Sequence, residues 1–154
     1  MTCLPDRYDH QQRLLLYLLS FYSDTSEKVR RCAFASVEAL GEQYEAENSD
    51  AFVERRQYGV DGDSRCNHDE QLSRPFKKRP RIGSRIFVRS NTKRFFSALL
   101  AEVICWLSKT RERSAKLLQA LVIYCEEHLT MEFSQTLTML IQAIKLSYSE
   151  QNDQ

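Results

Sequence analysis

An all-α fold is predicted by three features of the chain. Glycine occurs 4 times and proline 3 times in 154 residues, too few for the turn density of a β-sandwich. Leucine outnumbers valine plus isoleucine by 18 to 13, a balance that favours helices over strands. Apolar residues return every three or four positions in five separate segments, the spacing that lines one face of a helix. Residues of the AVILMFWYC set make up 42%, enough for a core, and the length suits one domain or part of a larger array.

The first helix is predicted over 9–22, where Leu15, Leu18, Leu19 and Tyr22 share a face that Leu14, Leu16 and Phe21 widen. Asp24 is placed to cap a second helix over 25–48, with Glu27 three residues later as the other half of a capping box. Val29, Ala33, Val37, Leu40 and Tyr44 form its buried stripe, leaving Glu38, Glu42 and Glu45 outside. From Ser49 to about Ile82 no period persists, and Gly59, Gly62, Pro75 and Pro80 punctuate a charged loop or insertion. Periodicity resumes over 84–107 with Phe96, Leu99, Leu100, Val103 and Leu107, and Trp106 at the edge of the stripe reads as core. If it is buried, its replacement by alanine costs about 3 to 5 kcal/mol. Thr110 is placed to cap a helix over 110–128, in which Ala115, Leu118, Val122 and Cys125 form the inner row beside Leu117 and Leu121. Thr130 is placed to cap a last one over 131–147, with Phe133, Leu137, Leu140, Ile141 and Ile144 inward.

Two helices, a gap, two more helices and one unpaired helix suggest an array of helical hairpins with units of about 40 residues. The expected organisation is a hairpin at 1–49, a charged, flexible loop at 50–83, a second hairpin plus one unpaired helix at 84–148, and a frayed tail at 149–154. Each unit of such an array buries its face on its neighbours, and the stack presents an extended binding surface.

With 22 Lys plus Arg against 21 Asp plus Glu, the formal charge is +1, so no global field draws the chain to nucleic acid or a membrane. The charges are nevertheless segregated. Nine basic residues (Arg74, Lys77, Lys78, Arg79, Arg81, Arg85, Arg89, Lys93 and Arg94) follow one another without an intervening acid. Such a strip suits an acidic protein partner, a nucleic-acid contact, an import signal around Lys77 to Arg81, or pairing with the acids that precede it. Only Phe76 and Phe87 are interleaved for base stacking, which weakens the nucleic-acid alternative. The apolar stretch from Leu14 to Tyr22 is far short of a bilayer span, and Met1 to His10 lacks the pattern of a signal peptide. A cytosolic or nuclear chain is expected, with its 5 widely spaced cysteines reduced and mostly buried.

Chemistry has little to work with. Cys125 and His128 stand at i and i+3, a spacing that permits a thiolate–imidazole pair, but a histidine near a helix C-terminus is favoured by the dipole and Cys125 lies in the apolar row. Cys66 and His68 supply two metal ligands where a structural zinc site needs four. No phosphate-binding loop, nucleophile elbow or metalloprotease helix is present in the sequence. The expectation is therefore a non-enzymatic protein without a cofactor or metal.

The set Asp24, Glu27, Val29, Arg30, Ala33, Val37, Leu40 and Gly41 resembles the second helix of a HEAT repeat. In the second half, Arg79-Pro80, Gly83, Arg85, Val88, Arg89, Asn91, Trp106, Thr110-Arg111, Ala115, Leu117-Leu118, Glu127-His128 and Thr130 resemble, in order and spacing, an internal stretch of the axonemal dynein assembly factor five family. The likeness takes in Leu40 to Asn48 as well, while Cys105 departs from the acidic residue that the family pattern implies before the tryptophan. What the resemblance implies is a HEAT-like superhelical stack and a cytoplasmic scaffold or co-chaperone in axonemal dynein preassembly. Its partners would be dynein intermediate or heavy chains, chaperones and other preassembly factors. A generic adaptor for another complex is the alternative that the same fold supports. Asp24, Arg30, Arg111 and Arg113, at the start of second helices, become candidates for contacts within the stack or with a partner. Arg30 in particular is expected to reach the turn of the next repeat. The basic strip of Lys77, Lys78, Arg79, Arg81 and Arg85 is the other candidate surface.

Overall fold

The computed structural model describes residues 4–50, 72, 76 and 79–152, with the backbone alone for 4–6 and 150–152. Every regular element among these residues is helical: α1 (Leu4–Ser20), a 3₁₀ turn (Phe21–Ser23), α2 (Glu27–Glu47), α3 (Ile82–Thr92), α4 (Phe96–Val103), α5 (Ser108–Cys125), a 3₁₀ segment (Glu126–Glu132) and α6 (Phe133–Asn152). The predicted all-α, helical-hairpin class is the observed one. The chain divides within α3, between Val88 and Arg89, into two compact units.

In the first unit α1 begins earlier than its apolar pattern, with Pro5 in the first turn, where a missing N–H costs nothing. Leu15, Leu18, Leu19 and Tyr22 are buried as predicted, but Leu14 and Phe21 face solvent. The helix pairs antiparallel with α2: Arg7 and Tyr8 near its start bond to Glu47 near the end of α2, and Gln11 bonds to Gln43 at 2.9 Å. Ala33, Val37 and Gly41 form the buried row of α2, whereas Val29 is exposed. Tyr22, Phe34 and Phe76 close this hairpin with ring centroids 5.6 to 6.1 Å apart.

Phe76 and Pro80 lie in the segment predicted as a flexible loop, and both are buried. Residues 51–71, 73–75, 77 and 78, which include Cys66, His68, Lys77 and Lys78, lie outside the described residues. The loop's far end is fixed by acids that the pattern had placed in solvent. Arg81 pairs with Glu42 and Glu45 at 3.2 Å each, its amide reaches Glu38 at 3.3 Å, and the Gly83 amide donates to Glu45 at 2.8 Å. The opening of α3 then crosses α2 at two glycines. A Cβ on Gly41 would stand 2.6 Å from Ser84 Cα and nearer still to that residue's Oγ and N, and one on Gly83 would overlap the Gly41 carbonyl. Ser84 Oγ donates to the Val37 carbonyl at 3.2 Å at this crossing.

In the second unit the helix predicted over 84–107 is broken. Arg94 N bonds to Asn91 O and Phe95 N to Thr92 O, each at 3.1 Å, making a turn between α3 and α4. Ser90, Asn91 and Thr92 compete with helical bonds through their side chains, and Asn91 and Thr92 are buried here. Phe96, Leu99, Leu100 and Val103 of α4 pack on α5, whose buried arc runs through Ser114, Leu117, Leu118, Leu121, Tyr124 and Cys125. Leu118 and Cys125 of the predicted row and the flanking Leu117 and Leu121 are buried, whereas Ala115 and Val122 are exposed, so the buried arc is centred nearer Leu121 than expected. The α5 helix starts at Ser108, with Thr110 inside its first turn, and stops at Cys125. Thr130 caps no helix: its hydroxyl bonds to the Glu127 carbonyl at 2.6 Å within the 3₁₀ segment. The last helix, α6, runs to Asn152 and has no buried residue from Phe133 to Ser149, so Phe133, Leu137, Ile141 and Ile144 are not inward.

The two hairpins repeat each other at a displacement of 81 positions. Leu15, Leu18, Leu19 and Tyr22 become Phe96, Leu99, Leu100 and Val103, and Ala33 and Val37 become Ser114 and Leu118. Every member of both sets is buried. The displacement equals about two repeat units of 40 residues.

Candidate functional site

The feature common to both hairpins is the turn before the second helix. Arg30 Nη1 donates to the carbonyls of Asp24 at 2.6 Å and Thr25 at 2.9 Å. Arg111 Nη1 donates to those of Cys105 and Trp106, both at 2.9 Å. Each arginine thus reaches the residues six and five positions before it. The residue preceding each helix has the same backbone, φ −78° and ψ 120° at Ser26 and φ −80° and ψ 110° at Leu107. Charge-assisted bonds of this kind are stronger than neutral ones and hold the turn at the angle the hairpin requires. The sequence suggested that Arg30 would reach the turn of the next repeat; in the first unit it holds its own.

The two turns differ at one residue. Asp24 Oδ1 accepts the Ser26 amide at 2.8 Å, an Asx turn in place of the predicted capping box, while Glu27 pairs instead with Arg31. Cys105 takes the position of Asp24 and has no carboxylate to offer the Leu107 amide. Replacing Cys105 with aspartate is therefore expected to stabilise the second unit by about 0.5 to 1 kcal/mol. A urea melt whose midpoint stays put or falls would show that the two turns are not interchangeable.

Trp106 is not core. It is 82% exposed, and Leu107 beside it is 45% exposed. The helix carrying the apolar stripe ends at Val103, so residues after it leave the packed face. The alanine variant should change the unfolding free energy by less than about 0.5 kcal/mol, a surface value instead of a core one. An indole this exposed is the type of side chain that anchors protein interfaces. Lys109 and Arg113 are exposed beyond it on α5, while Arg111 is 6% exposed and held by the turn.

Among the described residues of the basic strip, Lys93 and Arg94 are exposed, whereas the four arginines before them turn inward. Arg81 lies among Glu42 and Glu45, Arg85 is buried, and Arg79 is half-buried. Arg89 bonds to the Tyr124 carbonyl at 3.1 Å and to Glu126 at 2.5 Å. Glu126 has φ 50° and ψ −128°, a conformation disfavoured for a side chain bearing a Cβ. These arginines act as structural cations, so they do not form a continuous positive surface.

The Cys125 thiol is buried against the Thr92 hydroxyl at 3.3 Å, and desolvation pushes its pKa up, away from a nucleophilic thiolate. His128 stands exposed beside Glu127. Among the described residues no group of three or more His, Cys, Asp or Glu side chains is placed to hold a metal, and no helix is long and apolar enough to cross a membrane.

Paired helices with matching buried rows and an arginine-held turn define a helical-hairpin repeat of the HEAT type. Residues 72–152 match the family described as Dynein axonemal assembly factor 5, HEAT-repeat domain, and the chain belongs to that family. Dynein axonemal assembly factor 5 of Homo sapiens is 29% identical over 143 residues, covering 93% of this chain and 16% of that protein. The Mus musculus protein of that name is 29% identical over 140 residues (91% and 16%), and the Xenopus laevis one 28% over 137 (89% and 16%). The chain thus spans 16% of the length of these relatives. No solved structure matches it.

Proposed function

We propose that the chain is a cytoplasmic scaffold for preassembly of axonemal dynein arms, contacting dynein intermediate or heavy chains alongside chaperones and other preassembly factors. Membership of the assembly-factor family is the observation that carries the reading. The exposed Trp106 supports a protein partner, because a large aromatic in solvent contributes nothing to folding and much to association. Trp106 and Arg113 are the contact residues on this reading. Asp24, Arg30 and Arg111 position the turns, and Arg81 braces the start of α3 against α2. In a pull-down of purified dynein intermediate chain by the purified chain, Trp106→Ala and Arg113→Glu should each weaken capture at least tenfold with the melting midpoint unchanged. Absence of capture by the wild type, or equal capture by both variants, would refute it.

A further inference from the structure

The two turns that open second helices differ in what they show to solvent. At the displacement of 81 positions, Trp106, Leu107, Lys109 and Arg113 take the places of Thr25, Ser26, Lys28 and Cys32. All of these residues are exposed. The first unit runs on to Val88 beyond its turn, so exposure at these places is a property of the turn itself. Threonine and serine serve the fold there, whereas a tryptophan and a leucine gain no burial within the unit and suit an interface instead.

The charges around the indole are one-sided. Lys109 and Arg113 stand one helical turn apart on α5, about 6 Å along its axis. Neither side chain has an acid partner among the described residues. The two acids of the same stretch are engaged: Glu112 pairs with Lys116 at 2.5 Å, and Glu102 accepts the Ser114 hydroxyl at 2.8 Å. Cys105 also withdraws the carboxylate that Asp24 brings to the first turn.

We infer that this turn docks an extended, acidic segment of a protein partner, with one apolar side chain of the segment on Trp106 and two carboxylates on Lys109 and Arg113. Alternate residues of an extended chain project to one side about 6.6 Å apart, close to the spacing of the two cations on α5. One indole and one leucine offer too little apolar area to seat a helix, but they anchor a short segment whose charges supply the remaining complementarity. Nucleic acid fits less well, because a strand needs a continuous positive groove and the arginines of the basic strip before Lys93 turn inward. The inference deepens the scaffold proposal and rests on it only for which protein carries the segment.

Trp106 is the sole tryptophan, so its emission reports contact in the full chain directly. The probe is a capped, serine-rich peptide with one leucine and glutamates at the next two alternate positions. A blue shift that saturates with peptide is expected, and the versions with glutamine or lysine for glutamate should bind at least about tenfold more weakly. Lys109→Glu combined with Arg113→Glu should weaken the glutamate peptide at least about tenfold, as should salt of about 1 M, where the screening length falls to about 3 Å. Circular dichroism of the double variant should be unchanged, since both side chains lie in solvent. Trp106→Ala, read by the anisotropy of a labelled peptide, should bind at least about tenfold more weakly. Emission unmoved by the glutamate peptide would overturn the inference. So would equal binding of the glutamine peptide, equal binding by the double variant, or tighter binding of single-stranded oligothymidylate. Failure here with dynein chain still captured would discard the acidic segment alone, whereas success here without that capture would discard the dynein partner and keep the docking site.

Discussion

Replacing Gly41 with valine is expected to lower the stability of the first unit by about 2 to 3 kcal/mol, the cost of overpacking a contact that cannot open. The new side chain would meet the backbone of Ser84, not the tip of a flexible residue, and relief requires α3 to move off α2. Alanine is the more discriminating variant. In an unconstrained helix it would stabilise by about 1 kcal/mol over glycine. At this crossing the overlap outweighs that gain, so Gly41→Ala should also melt earlier. Ala39→Leu, on the exposed side of the same helix, provides the control and should change stability by less than about 0.5 kcal/mol. Urea denaturation of the three variants decides the matter. A stabilised Gly41→Ala would mean that the helices do not cross this closely.

The second large effect is expected at Arg111. Its guanidinium is 6% exposed and holds two carbonyls of the turn, so alanine removes both charge-assisted bonds and leaves a void at the base of α5. A loss of about 2 to 3 kcal/mol follows. Lysine should restore less than half of it, because its shorter and more flexible side chain does not hold a donor where Nη1 sits, the one nitrogen that bonds to both carbonyls. The sole tryptophan reports on this turn, since Trp106 supplies one of the two carbonyls. Its emission should hardly shift on unfolding, as the indole is already in water, but its fluorescence anisotropy in the folded Arg111→Ala protein should fall. Unchanged anisotropy would mean that the turn is held by something else.

Much of this was legible in the sequence, for reasons that explain what was not. The rows Leu15–Leu18–Leu19–Tyr22 and Phe96–Leu99–Leu100–Val103 could be read because side-chain burial imposes its period directly on residue type. In α5 apolar residues occur around most of the helix, so composition alone did not fix which arc turns inward, and Val122 was placed inside although it is half-exposed. The exposure of Trp106 had no local signature. It follows from α4 ending at Val103, and that end is set by packing. The bonds that Arg30 and Arg111 make to their own turns were not foreseen for a different reason. Their targets are backbone carbonyls, which every residue carries, so no pattern of side chains could point to them. Gly41 and Gly83 were noted as part of a family likeness, but their purpose, letting two helices touch, is visible only when both are placed. Glu38 and Glu45 were assigned to solvent because an acid on a helix usually faces it, until the inward Arg81 and the amide of Gly83 supplied a reason to be inside.

The proposal that this stretch of repeats handles dynein chains is tested most directly by affinity purification of the tagged chain from ciliated cells, with mass spectrometry of what co-purifies. Enrichment of dynein intermediate or heavy chains together with other preassembly factors, reduced in parallel for Trp106→Ala, is the predicted result. Recovery of general chaperones alone, equal for the wild type and the variant, would contradict it.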